Sequence, residues 1–188
     1  MAKITRAPST ALYPVPAVLV SCGVSSRANI ITLAWAGTLC SNPPMLGLGV
    51  RPSRHSHGLI KEVGEFVVNL PTAAQVEWVD FCGTVSGRDE DKWDACGFTP
   101  ASGTEVEVPL IAECPVNLEC RLEQTLSLGS HDLFVGQVVA VQMDEAVLGE
   151  RGRLDVTEAR PLTYVTGDYH RVGELLATHG FSQREKSE

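Results

Sequence analysis

Short apolar runs closed by turn-forming residues constrain the fold of this chain more than any other feature. The runs have the length of strands, are rich in Val, Ile and Leu, and are mostly bounded by Gly, Pro, Asn or Ser. They are residues 17–22, 30–34, 45–50, 65–70, 116–122 and 133–143. The runs do not alternate with helices, which argues against a doubly wound parallel sheet. The pattern predicts a mainly β chain with helices, folded as a closed or split antiparallel barrel.

Three helices fit between these strands. They are predicted over residues 58–63, 73–82 and 169–178. The second begins at Thr72 and Gln75, which have the spacing of a capping box. The third carries an apolar stripe, as a helix that packs on a core does. No repeat and no linker divides the chain, so we expect a single domain over residues 1–188.

The charge and the cysteines exclude several classes of partner. A net charge of −8 and a pI near 5.1 argue against nucleic acid or an anionic membrane, since either needs a basic face. No run approaches the roughly 20 apolar residues of a membrane-spanning helix. The six cysteines form no C-x-x-C pair, so no metal ion is expected. We expect reduced thiols in a cytoplasmic protein.

One segment is basic within this acidic chain. Its cations, with no acid between them, are Arg51, Arg54, His55, His57 and Lys61. Ser53 and Ser56 lie in the same segment, just before a predicted helix. Hydroxyls, free N–H groups and an Arg fork at a helix start suit an anion such as phosphate. A plain helix start with a Ser cap and solvated cations explains the pattern equally.

A second cluster surrounds Asn29, Thr32 and Trp35, which lie among small side chains such as Ala34 and Ala36. Small residues let a flat ring lie close to the backbone, whose N–H groups can reach its polar edge. Trp35 has two interpretations, because it can stack beneath such a ring or pack in the core. The core is the commoner place for a lone Trp.

Two further polar residues have simple structural explanations. His131 lies in a predicted turn between Gly129 and Asp132, where a His is either a ligand contact or bonded to its neighbours. Lys92 follows the acidic residues 89–91 and is most simply half of a surface ion pair. The chain has neither the Rossmann glycine motif nor a P-loop, so any flavin or nicotinamide is held another way.

The order of these features resembles the flavin reductase-like family, and within it the flavoredoxin branch. Six ordered motifs carry the resemblance. They are N-I-I-T-L-A-W-A-G-T-L-C-S-N-P-P, R-P-S-R-H-S, E-F-V-V-N-L-P, F-C-G-T-V-S-G-R-D-E-D-K-W, G-S-H-D-L-F-V-G-Q-V and P-L-T-Y-V-T-G-D-Y-H-R-V-G. With Tyr13 before them, they span nearly all of the chain up to Gly173.

The resemblance implies an FMN-binding split barrel of Greek-key topology, working as a homodimer with each flavin near the subunit interface. It implies that Ser53, Arg54 and Ser56 hold the phosphate. It also implies that His131 approaches the flavin, which makes it the candidate catalytic residue. The other residues implied to surround the flavin are Asn29, Thr32, Ala34, Trp35, Ala36, Ser41, Lys92 and Tyr164.

The implied reaction is hydride transfer from NADH or NADPH to FMN, followed by electron release to a small-molecule or protein acceptor. Two alternatives stay open. One is an FMN-bound electron carrier that a protein donor reduces without NAD(P)H. The other is a non-enzymatic module that binds another anion at the basic turn.

Overall fold

The computed structural model describes residues 1–184, and antiparallel β-sheet makes up most of its regular structure. Its strands are β1 (Val15–Pro16), β2 (Val18–Cys22), β3 (Asn29–Leu33), β4 (Ala36–Ser41), β5 (Pro44–Val50), β6 (Glu65–Leu70), β7 (Pro100–Ala101), β8 (Leu110–Ile111), β9 (Val116–Ser127), β10 (Asp132–Met143), β11 (Leu162–Val165) and β12 (Asp168–Arg171). Its α-helices are α1 (His55–Val63), α2 (Val76–Thr84), α3 (Lys92–Cys96), α4 (Val156–Ala159) and α5 (Phe181–Arg184). No helix among these residues is long and apolar enough to cross a membrane.

Seven strands form one sheet in the order β3-β2-β6-β9-β10-β5-β4, and every neighbouring pair is antiparallel. The register of β9 with β10 shifts between Val135 and Gly136, and again between Val138 and Ala140. Such bulges bend a strand and increase its twist, so the sheet curls. A Cβ at Gly136 would lie 2.4 Å from the ring of Phe66, so glycine permits this close approach. The predicted mainly β fold, built on a split antiparallel barrel, is confirmed.

Both faces of β2 are buried, because side chains alternate between two separate cores. Val20 lies in the core inside the curled sheet, where it packs with Phe134 and with residues of α1. Leu19, on the opposite face, packs in a second core with Val79 of α2 and Trp93 of α3. Burial of each such side chain contributes about 1.5–3 kcal/mol. The second core therefore holds α2 and α3 beside β3, which is next to β2.

Most of the predicted elements are present, with shifted ends. Strands lie in all six predicted runs, and β9 continues five residues past the predicted end, to Ser127. The first helix begins at His55, three residues before its predicted start. The second follows a 3₁₀ turn at Ala73–Gln75, where the Thr72 N–H donates to the Gln75 side chain at 2.7 Å. β4 was not predicted, because its small and polar residues suggested a loop.

The predicted helix over residues 169–178 is wrong. Its first residues form β12, which pairs with β11 across a tight turn at Thr166 and Gly167, both with positive φ. The stripe that suggested a helix is 45% exposed at Val172, 80% at Leu175 and 90% at Leu176. A short amphipathic helix needs a packed apolar face, and residues 1–184 offer this stripe none.

Candidate functional site

A basic cavity of about 220 Å³ lies where β3, the start of α1 and the segment after α2 meet. Its cationic lining consists of Arg54, Arg88 and Lys92, and no carboxylate of a described residue lines it. His55 also lines it, but burial and the nearby cations lower the pKa of its imidazole. An acid-free basic cavity in a chain of net charge −8 has the charge that an anionic ligand requires. The structure thus places the predicted anion-binding residues around a real cavity.

The start of α1 supplies free hydrogen-bond donors to this cavity. Arg54 is the N-cap residue, and no side chain caps the first turn. The leading N–H groups of a helix carry partial positive charge. In α1 the His57 N–H donates to the Arg54 carbonyl at 3.1 Å, so those of His55 and Ser56 are the donors left for a ligand. The hydroxyl groups of Ser53 and Ser56 line the same cavity. The donor set is that of a phosphate site.

Lys92 lies inside the protein, so the prediction of a surface ion pair is wrong. It is 3% exposed, and its Nζ donates to the carbonyl oxygens of Ile30 and Cys82, both at 2.8 Å. Burial lowers the pKa of Lys92 below its ordinary value. An ammonium group has three N–H donors. The two carbonyls therefore hold Lys92 at the cavity wall and leave one donor for a ligand.

Asn29 fixes the geometry of the cavity from β3. Its Nδ2 donates to the Ser56 hydroxyl at 2.8 Å, which ties β3 to the first turn of α1. Gly87 passes so close that a Cβ there would lie 2.0 Å from the Asn29 side-chain oxygen. Only glycine fits this approach. The neighbouring Arg88 then reaches the cavity, and its Nη1 donates to the Ser53 carbonyl at 3.3 Å.

A second cavity of about 280 Å³ adjoins the first, since Ile31 and Arg54 line both. Its other predicted site residues are Thr32, Ala34, Trp35, His131 and Tyr164. The Thr32 hydroxyl donates to the Val79 carbonyl, so it is engaged with α2. Small and aromatic side chains together suit a flat ring, and the shared Arg54 lies between the two cavities.

Trp35 and His131 meet in the second cavity, although 96 positions separate them in the chain. Their ring centroids are 4.3 Å apart at an interplanar angle of 49°. Trp35 is 43% exposed, so of its two interpretations packing in the core is excluded. Burial, and secondarily the charge of Arg51, lowers the pKa of His131. At neutral pH its ring is therefore mainly uncharged and can both donate and accept a hydrogen bond.

Two residues of the predicted site, Ala36 and Ser41, line neither cavity. Both lie on β4, and Ser41 is exposed beside the turn into β5. The sequence argument in turn omitted Ser86, Gly87 and Arg88 as site residues. Their small, polar and basic side chains resemble those of residues 53–56, but they follow α2 instead of preceding a helix, so the helix-start pattern did not identify them.

Comparison with known proteins identifies a family whose model matches most of this chain. A model described as "Flavin reductase like domain" matches residues 10–173. An uncharacterized protein of Archaeoglobus fulgidus is 40% identical over 135 residues, which is 72% of this chain and 76% of that protein.

Two solved structures are similar over nearly their whole length. The flavoredoxin of Desulfovibrio vulgaris (Miyazaki F) superposes with a TM-score of 0.90 at 32% identity, covering 97% of this chain and 100% of that one. An FMN-binding protein from Thermus thermophilus, solved with bound 1-cyclohex-2-enone, superposes with a TM-score of 0.80 at 30% identity. The match covers 95% of this chain and 99% of that one.

Proposed function

The chain belongs to the flavin reductase-like domain family, and on that premise we propose that it binds FMN as an oxidoreductase of the flavoredoxin type. The observation that carries the proposal is the pair of adjoining cavities. One is basic and sits at a helix start, and the other is lined by small and aromatic side chains. FMN has matching halves, a phosphate and a flat ring joined by a flexible chain.

In this proposal the first cavity holds the phosphate. Ser53, Ser56 and the N–H groups of α1 donate hydrogen bonds, and Arg54 offers a two-pronged contact. Arg88 and the buried Lys92 add positive charge close to the phosphate oxygens. Lys92 contributes more than an exposed cation would, since water screens a buried charge less.

The second cavity holds the ring. Ala34 and Thr32 lie along the backbone of the β3 edge, and Tyr164 closes the cavity from β11. Asn29, beside the first cavity, organises the link between the two. Trp35 and His131 form the aromatic wall, and His131 is placed to exchange a proton with a bound ligand. Bound flavin supplies hydride acceptance and electron release, and these side chains orient it.

The electron donor in this proposal is NADH or NADPH, and the acceptor is a small molecule or a protein. Similarity to a flavoredoxin favours a second candidate, an FMN-bound carrier that a protein donor reduces. Homodimer formation also belongs to the proposal, supported by the exposed apolar side chains of residues 172–176. The cytoplasmic location and the single domain over residues 1–188 remain sequence predictions.

Anaerobic reduction distinguishes the candidates. The FMN-loaded protein is mixed with NADH or NADPH, and the loss of flavin absorbance is followed against a dithionite control. We expect one nucleotide to reduce the flavin fully within seconds. If dithionite reduces the bound flavin fully and neither nucleotide reduces it, the FMN-bound electron carrier is the remaining function. If the protein does not bind FMN at all, the non-enzymatic anion-binding module is the remaining candidate.

A further inference from the structure

A buried polar pair joins α1 to the turn before β10. His57 Nε2 lies 2.8 Å from Asp132 Oδ2, and the two residues are only 8% and 7% exposed. Ser127 donates its hydroxyl to the other carboxylate oxygen at 2.8 Å. The hydrogen bonds from His57 and Ser127 hold the pKa of Asp132 below its ordinary value. The charged Asp132 carboxylate is therefore held by His57 of α1 at one oxygen and by Ser127 of β9 at the other.

The two ends of this pair lie beside the two cavities. His57 is in the first turn of α1, next to Ser56, which lines the basic cavity. Asp132 directly follows His131, which lines the second cavity. Of the side-chain hydrogen bonds among residues 1–184, this one alone joins α1 to the β9–β10 hairpin. A single buried side-chain hydrogen bond, beside apolar packing on Phe134, thus connects the elements that form the two halves of the site.

We propose that His57 and Asp132 are positioning residues that couple the anion end of the site to its ring end. The inference rests on the proposed function, because it concerns how one ligand is held at both ends. Loss of one partner leaves the other buried without its hydrogen bond, and either α1 or the His131 turn then shifts to hydrate it. A change on the helix is then transmitted to His131 and Trp35.

The test uses two ligands and matched variants. FMN reports both ends of the site, whereas lumiflavin, which lacks the ribityl phosphate, reports the ring end alone. His57→Met removes the hydrogen bond but keeps an unbranched side chain against the ring of Phe134, 5.0 Å away. His57→Gln keeps a side-chain N–H that can donate to Asp132. Glu62→Gln is the control, because Glu62 lies on the same helix as His57 but forms an exposed ion pair with Arg27. Dissociation constants are measured by fluorescence titration.

We expect His57→Met to weaken lumiflavin binding by about tenfold, a loss equivalent to about 1.4 kcal/mol. His57→Gln should stay within about threefold of wild type and Glu62→Gln within about twofold. Asp132→Ala removes the same contact from the hairpin, so it tests the coupling independently if His57→Met does not fold. The double variant should bind lumiflavin no more weakly than the weaker single variant, as expected for two groups that act through one contact.

Three results would overturn the inference. Lumiflavin affinity unchanged in both His57→Met and Asp132→Ala would confine the pair to structural support. Equal losses in His57→Gln and His57→Met would assign the effect to side-chain shape rather than the hydrogen bond. If the losses of lumiflavin binding free energy add in the double variant, His57 and Asp132 act independently and not through one contact. Wild-type protein that binds neither ligand would refute the proposed function itself, a distinct outcome.

Discussion

The cationic side chains of the basic cavity differ in their exposure to solvent. Arg54 and Arg88 are exposed, whereas Lys92 is buried against two carbonyl oxygens. The exposed cations can reorganise around an anion, while Lys92 is already fixed. Specific contact with a phosphate therefore depends most on Arg54, which borders both cavities and forms no hydrogen bond of its side chain with another described residue.

Replacing Arg54 by Ala should weaken FMN binding by about 1.5–3 kcal/mol, the range for hydrogen bonds to charged groups. Riboflavin lacks the phosphate, so its affinity should change by less than about threefold, or about 0.7 kcal/mol. Titration of both ligands separates loss of the phosphate contact from general damage. Arg153→Ala, an exposed change outside both cavities, is the control. An equal loss for both ligands would place the phosphate elsewhere.

His131→Ala should lower turnover at saturating FMN at least tenfold, since positioned acid–base groups contribute about 10²–10⁴ in rate. FMN affinity should fall by no more than about tenfold, or about 1.4 kcal/mol, because only a contact with the ring is lost. The uncharged imidazole beside Trp35 makes no contact with the basic cavity, so it contributes little to phosphate binding. Steady-state rates and flavin titration provide the two measurements. The exposed His170→Ala is the matched control. Unchanged turnover would remove His131 from the reaction.

Single residues were hardest to place from sequence where burial decided their role. The acidic run before Lys92 suggested surface ion pairs, but Asp91 instead caps α3 by accepting from the Trp93 N–H at 2.9 Å. That cap turns the Lys92 side chain towards β3 and α2. Trp35 shows the reverse, because a lone Trp is more often buried in a core, yet here it is 43% exposed beside Gly49 of β5. A Cβ at Gly49 would lie 3.3 Å from the Trp35 Cβ.

At the scale of elements, a buried carboxylate on β9 organises a long loop. Glu119 is fully buried and accepts hydrogen bonds from the backbone N–H groups of Thr104, Glu105 and Val106. Gln142 donates to it from β10 at 2.8 Å. Burial raises the pKa of Glu119, but these bonds outweigh it and lower the pKa from 4.5 to about 2. The charged form of Glu119 is therefore the form that stabilises the fold.

Glu119→Gln should destabilise the protein by about 2–3 kcal/mol at pH 7, because a neutral amide replaces the charged acceptor and its NH₂ group cannot accept from the loop N–H donors. A lowered folded-state pKa contributes stability that is complete above about pH 4.5 and is lost as the pH falls towards 2. Urea unfolding between pH 2 and 7 measures both effects. Glu123→Gln, on the same strand but exposed, is the control. Equal pH profiles for wild type and Glu119→Gln would contradict this account.

Element prediction succeeded where one face of a run faced a core, as in β6 and β9, whose apolar side chains pack inside the sheet. It failed at residues 169–178, where the helical period was real but its apolar stripe at Val172, Leu175 and Leu176 stays exposed among residues 1–184. A hairpin signal was present in the same region, since Thr166-Gly167 separates two short runs that contain Tyr164 and Tyr169. Those rings meet at 5.7 Å across the hairpin.

At the scale of the whole molecule, the site is assembled from segments far apart in sequence. Residues 29–35, 53–56, 82–92, 131 and 164 converge only because the sheet curls. Periodicity identifies strands but does not determine which distant strands become neighbours. The basic turn and the small residues after β3 were therefore recognisable separately, and their joint role was suggested only by the order of motifs along the chain.

The exposed tail after β12 belongs to the proposed homodimer. Leu175 and Leu176 are 80% and 90% exposed and line an apolar cavity of about 700 Å³ together with Val156. Replacing both leucines by Ser should convert the dimer into a monomer, since the tail loses the apolar area that drives association. Light scattering after gel filtration measures the mass, and Glu174→Ser in the same segment is the control. A dimer that survives the double change would move the interface elsewhere.

The central claim, that the two cavities form one FMN site, is tested most directly by identifying the bound ligand. Purified protein, before and after incubation with FMN, is denatured and the released flavin is quantified by chromatography. We predict one FMN per chain after incubation, and a higher thermal unfolding temperature in its presence. Protein that remains colourless with excess FMN, and whose unfolding temperature does not change, would contradict the account.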